Sequence, residues 1–208
     1  MRMRKKKHAD ERIQVCVDSG YMRWHVLFEQ GKPVFLEIGC GKGDFICGTA
    51  LKFPDINFIA VEKNSDVIMF AMEKAKSLNL HNVKFIITDA KELENHFEPE
   101  TISRIYLNFS DPWHKRYQHN NRLTSPVFLD SYKKFLKPNA EIILKTDNKD
   151  LFDFSLKTLT SNGFEITNKT YDLYSSEFFD FNENIQTEYE KKFVEQGVTI
   201  CYLAAVLS

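Results

Sequence analysis

The chain lacks most of the features that settle a sequence early. Its four cysteines, Cys16, Cys40, Cys47 and Cys201, include no Cys-x-x-Cys pair. That excludes the common zinc spacings, and a chain of 208 residues has no need of a disulfide framework. All four therefore read as small buried side chains in a reducing compartment. No group of residues has metal-ligand spacing, so no metal is expected. No apolar run approaches the length of a membrane span. The basic start, Met-Arg-Met-Arg-Lys-Lys-Lys-His, has no apolar signal-peptide core behind it, so the expected location is cytoplasmic. There is no internal repeat, no low-complexity tract and no linker, and a single domain over 1–208 is expected. The dinucleotide fingerprint Gly-x-Gly-x-x-Gly is also missing, which counts against a nicotinamide-dependent oxidoreductase.

What is present is organised around residues 34–44, Val-Phe-Leu-Glu-Ile-Gly-Cys-Gly-Lys-Gly-Asp. A short apolar run stopped by glycine reads as a buried strand. Asp44 then opens a helical pattern, giving strand, glycine turn, helix. Gly39, Gly41 and Gly43 allow positive φ and close approach of a ligand to the backbone. A second apolar run, 58–61, ends in Glu62, which follows Gly43 by 19 residues. That is about the offset at which nucleotide folds set a carboxylate on ribose hydroxyls. A third run, 83–87, ends Thr88-Asp89-Ala90. A helix cap would account for any one of these acids. Glu37, Glu62 and Asp89, one at or near the end of each of three successive strands beside a glycine turn, point to a bound nucleoside. Glu37 lies inside an apolar strand, where a carboxylate is costly unless paired, and a ligand ammonium would suit it.

Strands and helical patterns alternate along the rest of the chain. Residues 10–33, with Val15, Val17, Tyr21, Trp24, Leu27 and Phe28, fit a strand or a helix packed on the main sheet. Helical patterns cover 64–78, 125–136 and 149–161, and strands are expected over 102–109, 140–144, 164–174 and 198–207, with Pro138-Asn139 as a turn. This alternation predicts an α/β fold with a doubly wound, mostly parallel, seven-stranded sheet. The link from Glu190 to Gly197 is too short for a crossover, so the last strand should run antiparallel.

At the end of the fourth strand stands Asn108-Phe109-Ser110-Asp111-Pro112-Trp113. Pro112 restricts Asp111 to extended conformations, which aims its carboxylate. Trp113 is either a stacking plate or ordinary core. Lys115, Arg116, Tyr117, His119 and Arg122 follow on one loop, a pattern that suits either an RNA backbone with an unstacked base or a solvated surface. Arg2, Arg4, Lys5, Lys6 and Lys7 give a +5 arm over about residues 1–9, leaving −6 on the remainder against a net −1. Such an arm is either a polyanion contact or a solvated terminus.

Taken together, Glu37-Ile38-Gly39-Cys40-Gly41-Lys42-Gly43, Asn108-Phe109-Ser110-Asp111-Pro112-Trp113, Arg122-Leu123-Thr124, Lys145-Thr146-Asp147-Asn148 and Thr187-Glu188-Tyr189-Glu190-Lys191-Lys192-Phe193 resemble the bacterial tRNA (guanine-N7-)-methyltransferases, of the Rossmann-like class I methyltransferase fold. The resemblance implies S-adenosyl-L-methionine as cofactor, S-adenosyl-L-homocysteine as product and tRNA as partner. It also implies a monomer or homodimer, with position 46 of the tRNA variable loop as the family's target. It assigns Glu37, Gly39, Gly41, Gly43, Glu62, Asp89, Ala90 and Asp111 to the cofactor and makes Asp111 catalytic. Lys115, Asp147, Thr187, Glu188, Tyr189 and Glu190 go to the substrate, and Tyr117, Gln118, His119, Asn120, Asn121 and Arg122 to an RNA-contacting loop. Two departures stand out: His114 occupies a place where the family commonly has proline, and the 117–122 loop is less basic than usual.

The expected activity is methyl transfer to N7 of a tRNA guanosine, with Asp111 orienting the guanine and stabilising developing positive charge, and no general base. Asp147 and Glu190 are further candidate readers of the guanine edge. The alternatives are a methyltransferase acting on another RNA site or a small molecule, and a non-catalytic RNA-binding module.

Overall fold

The computed structural model describes residues 9–22, 31–181 and 183–208. The basic arm, and Trp24, Leu27 and Phe28, lie outside the described residues. The described residues form a seven-stranded sheet, and the chain divides into two compact units, Met1–Asp89 and Ala90–Ser208.

The first unit contains α1 (Ala9–Asp18), β1 (Val34–Ile38), α2 (Asp44–Lys52), β2 (Asn57–Glu62), α3 (Ser65–Ser77) and β3 (Val83–Ile87). The 9–18 segment, for which strand and helix were both open, is helical. It lies on α3, where Arg12 reaches Glu73 through Nε at 2.6 Å and stacks 5.3 Å from the Phe70 ring. β1 pairs with β2, and β2 with β3, all parallel. These strands are apolar because helices cover the sheet: Leu36, Ile59, Ala60 and Phe85 are wholly buried. Each such large side chain contributes roughly 1.5–3 kcal/mol of transfer free energy. Asn64 caps α3 by accepting from Asp66 N at 3.0 Å.

The second unit contains β4 (Ile102–Asn108), α4 (Pro126–Lys133), β5 (Leu136–Thr146), α5 (Lys149–Ser161), β6 (Phe164–Thr170), α6 (Glu188–Glu195) and β7 (Cys201–Leu207). Single 3-10 segments occupy Ala90–Asn95, Arg116–Asn121 and Leu173–Ser175. β4 and β5 are parallel, whereas β7 runs antiparallel to both β5 and β6, as expected, although the 171–200 connection, which includes α6, is long enough for a crossover.

Of the boundaries that differ from expectation, two have a visible cause. Pro138 and Asn139 do not end an element; they sit inside β5, in an irregularity where the register passes from Ile102↔Leu136 to Arg104↔Glu141. Asn139 takes the left-handed conformation there (φ 60), which asparagine tolerates. β6 stops at Thr170 and not at Tyr174, because Thr170 Oγ1 accepts from Asp172 N at 3.1 Å and turns the chain out of the sheet.

Candidate active site

In the first unit the C-terminal ends of the three parallel strands bring Ile38, Glu62 and Ile87 to one edge. The glycine turn leaves β1 there. Gly39 N and Cys40 N both donate to Val61 O, at 2.8 and 3.0 Å, tying the turn to the residue before Glu62. Gly39, Gly41 and Gly43 all have positive φ (83, 56 and 80). Their surroundings differ. A Cβ on Gly39 or Gly41 would meet nothing within 4 Å, whereas one on Gly43 would come 2.6 Å from Ala71 Cβ. Gly43 is therefore required by the packing of α2 on α3, and Gly39 and Gly41 border open space beside the strand ends.

Three acids surround that space. Glu37 is buried at 2 % exposure on β1. Glu62 is half-buried, and its Oε1 accepts from Asn64 N at 3.0 Å. Asp89 is exposed just past β3. Burial, then the nearby carboxylates of Glu37 and Glu62, hold the Cys40 thiol well above its ordinary range. Burial likewise pushes Cys47 up to about 12 and Cys201 to about 11. All four cysteines are buried free thiols, inert as nucleophiles at neutral pH. The donor set fits a nucleoside with a cationic tail: carboxylates for hydroxyls and an ammonium, and glycines that leave backbone room.

In the second unit β4 and β5 end on a shared edge. Past β4, Phe109 and Trp113 are both left-handed, with φ 52 and 45. Each such residue costs of order 1–3 kcal/mol, so the turn between them is imposed by its surroundings. Phe109 N donates to Lys145 O at 2.8 Å, and the Phe109 ring stacks on Phe193 of α6 at 5.7 Å. Asp111 is exposed at the crest of this turn, and Trp113 is half-buried.

The loop that follows divides into two sets. Lys115, Arg116, Tyr117 and Asn120 are exposed, while Gln118, His119 and Asn121 are partly covered. Tyr117 is 77 % exposed, with Lys115 Nζ 5.9 Å from its ring centre. Arg122, expected among the RNA contacts, is instead 0 % exposed. Its Nε donates to Pro112 O at 2.7 Å, its Nη2 to Asp150 Oδ2, and its guanidinium lies 4.7 Å from the Phe154 ring centre. A side chain with no surface cannot meet RNA, so that expectation is corrected for Arg122. The hydrogen bond from Arg122 is the leading reason that the Asp150 carboxyl lies below its usual range.

Past β5, Asp147 is half-buried and Asn148 caps α5 by accepting from Leu151 N at 2.8 Å. Thr187 caps α6 in a reciprocal box with Glu190, whose N donates to Thr187 Oγ1 at 2.9 Å. Glu188 and Tyr189 are exposed, but Glu190 is wholly buried. Lys145 Nζ lies 3.1 Å from Glu190 Oε2, and Tyr174 OH and Asn184 Nδ2 donate to Oε1 at 2.8 and 2.9 Å. Gln186 Nε2 donates to Tyr174 OH at 2.6 Å. Burial, with Glu190 pushing the same way, raises the Tyr174 hydroxyl to about 12. Glu190 thus spends both oxygens inside the protein, and Asp147 is the more accessible carboxylate of the pair. Tyr174 and Asn184, which bond Glu190 directly, and Gln186, which bonds Tyr174, escaped the sequence reading because nothing in their spacing marks them; the buried Glu190 carboxylate that Tyr174 and Asn184 share reveals them. Among the described residues no His, Cys, Asp and Glu cluster could hold a metal ion, and no helix is long and apolar enough to cross a membrane.

A family model described as "Putative methyltransferase" matches residues 31–203. A tRNA (guanine-N(7)-)-methyltransferase of Lachnoclostridium phytofermentans is 43 % identical over 183 residues, covering 88 % of this chain and 85 % of its own. Those of Streptococcus thermophilus and Clostridioides difficile are 39 % and 40 % identical, each covering 96 % of both chains. Among solved structures, the 16S rRNA methyltransferase KamB has a TM-score of 0.67 at 12 % identity over 89 % of this chain and 92 % of its own. An Aquifex aeolicus SAM-dependent methyltransferase has a TM-score of 0.58 at 14 % identity over 98 % and 95 %. The fold is that of these enzymes, and the near-full-length identities place the chain in the tRNA (guanine-N7-)-methyltransferase family.

Proposed function

We propose that this chain, acting as one domain over 1–208, transfers a methyl group from S-adenosyl-L-methionine to N7 of a guanosine in tRNA. The observation that carries the reading is the exposed Asp111 carboxylate on an imposed turn at a strand edge, in a chain whose near-full-length relatives bear that activity as their name. S-adenosyl-L-methionine, when bound, supplies an electrophilic sulfonium methyl and leaves as S-adenosyl-L-homocysteine. Glu37 would hold its ammonium, Glu62 its ribose hydroxyls and Asp89, with Ala90, its adenine, while Gly39 and Gly41 would leave it room at the backbone. Gly43 belongs to the same turn but acts through packing.

Guanine N7 carries an in-plane lone pair and no proton, so its attack needs no general base. Positive charge then grows on the guanine ring. Asp111 stabilises that charge and accepts from the N1 and N2 edge, which fixes the base in line. Asp147 shares the edge, and Thr187, Glu188 and Tyr189 border the substrate. Glu190 acts one layer back, holding Lys145 and the cap of α6. Lys115 and the exposed face of 116–121 meet the RNA backbone. The N7 edge is poorly reached in the deep groove of A-form RNA, so the target is a guanosine outside a regular duplex, which fits the family's variable-loop position.

Asp111→Asn keeps the shape and removes the charge. It is expected to lower kcat by about 10²-fold or more. Near-normal turnover would sink the electrostatic role.

A further inference from the structure

Arg122 is unlike every other basic residue of its loop. It is the largest of the fully buried side chains, and its position is set by three different groups: the Pro112 carbonyl, the Asp150 carboxylate at the start of α5, and the Phe154 ring one turn further on. The Pro112 carbonyl lies between Asp111 and the left-handed Trp113. Pro112 has no N–H of its own to anchor the turn. The other end of the turn is held by Phe109, through Lys145 O and the Phe193 ring. A turn with an unfavourable backbone at both ends persists only while both ends are held.

Arg122 is in turn seated by its neighbours. Arg122 N donates to His119 O at 3.0 Å and Ser125 N to Arg122 O at 2.8 Å. Thr124 Oγ1 and Ser155 Oγ lie 2.7 Å apart, which stitches the loop to α5. The side chain thus carries the rigidity of α5 to the crest of the turn.

We propose that Arg122 is a positioning residue: by holding the Pro112 carbonyl it keeps Asp111 and Trp113 where the reaction needs them, and Asp150 holds Arg122 in that act. This rests on the reaction proposed above, but its structural part is testable without tRNA. A lysine cannot replace it, because a single ammonium cannot bond the carbonyl and the carboxylate with the planar fork that Arg122 uses here.

The test uses the full chain with Trp24→Phe, which leaves Trp113 as the sole tryptophan. Arg122→Lys and Asp150→Asn are compared in it by acrylamide quenching of Trp113 and by steady-state kinetics on tRNA. The expected result for Arg122→Lys is greater quenching and a kcat lower by about 10²-fold, the effect of misplacing a reacting group by about 1 Å. KM for S-adenosyl-L-methionine should stay within about threefold, since uniform binding is not what is lost. Asp150→Asn, which keeps an acceptor and lies at an exposed position, should move both readouts the same way by less. A merely structural Arg122 would lower Tm but leave kcat per folded molecule and Trp113 quenching unchanged, and that result overturns the proposal. If Arg122→Lys does not fold, Asp150→Asn decides alone, and unchanged quenching and kcat overturn it equally. If the parent protein fails to methylate tRNA, the reaction proposed above fails, while Trp113 quenching still decides whether Arg122 holds the turn.

Discussion

Gly39, Gly41 and Gly43 look equivalent as residues, yet the structure gives them different work. All three have positive φ, so alanine at any of them carries a left-handed penalty of roughly 1–2 kcal/mol. Only at Gly43 would the new methyl also strike Ala71, adding overpacking of about 1–3 kcal/mol. Gly43→Ala should therefore show the largest fall in Tm of the three, each kcal/mol shifting a chain of this size by about 2–4 °C. Gly39→Ala and Gly41→Ala should lose less stability and more affinity for S-adenosyl-L-methionine. Differential scanning calorimetry and titration calorimetry on the three variants measure both quantities. Equal losses of stability at all three positions would contradict this division. The division was invisible in the sequence, because Gly-x-Gly-x-Gly shows which residues can adopt positive φ and not which of them has a neighbour.

The elements that the sequence made legible are those with unbroken periodicity. β1 and α5 fall where their patterns place them, and β7 is antiparallel as expected, though not for want of chain to cross over. What was not legible depends on partners distant in the chain. Arg122 reads as one more basic loop residue until Asp150 and Phe154 close over it. Glu190 reads as a candidate reader of the guanine edge; its capping box was within reach of the pattern, but its burial against Lys145 was not. That burial has an energetic consequence. Lys145→Met leaves the Glu190 carboxylate buried without its cation, which costs about 3–5 kcal/mol. Replacing both, as Lys145→Met with Glu190→Leu, removes the stranded charge and should recover a large part of that loss. Urea unfolding of the two single variants and the double variant gives the coupling directly. Strictly additive losses would show that the two groups do not stabilise α6 as a pair.

For the whole molecule, charge sets the terms of RNA binding. The chain carries a net −1, and outside the basic arm the balance is −6, so the bulk field repels a polyanion. Under the proposed function, contact with RNA then rests on local features, among them the exposed Lys115, Arg116 and Tyr117. In the proposed function the acids at the strand ends of the first unit serve the opposite purpose, taking a cofactor with a cationic sulfonium and ammonium. Both halves of the account meet in one measurement: transfer of labelled methyl from S-adenosyl-L-methionine to unfractionated tRNA, followed by nucleoside analysis of the product. The account predicts label in 7-methylguanosine, with a large part of it lost in Asp111→Asn. Label in any other nucleoside, or no transfer by a protein that still binds the cofactor, would contradict it.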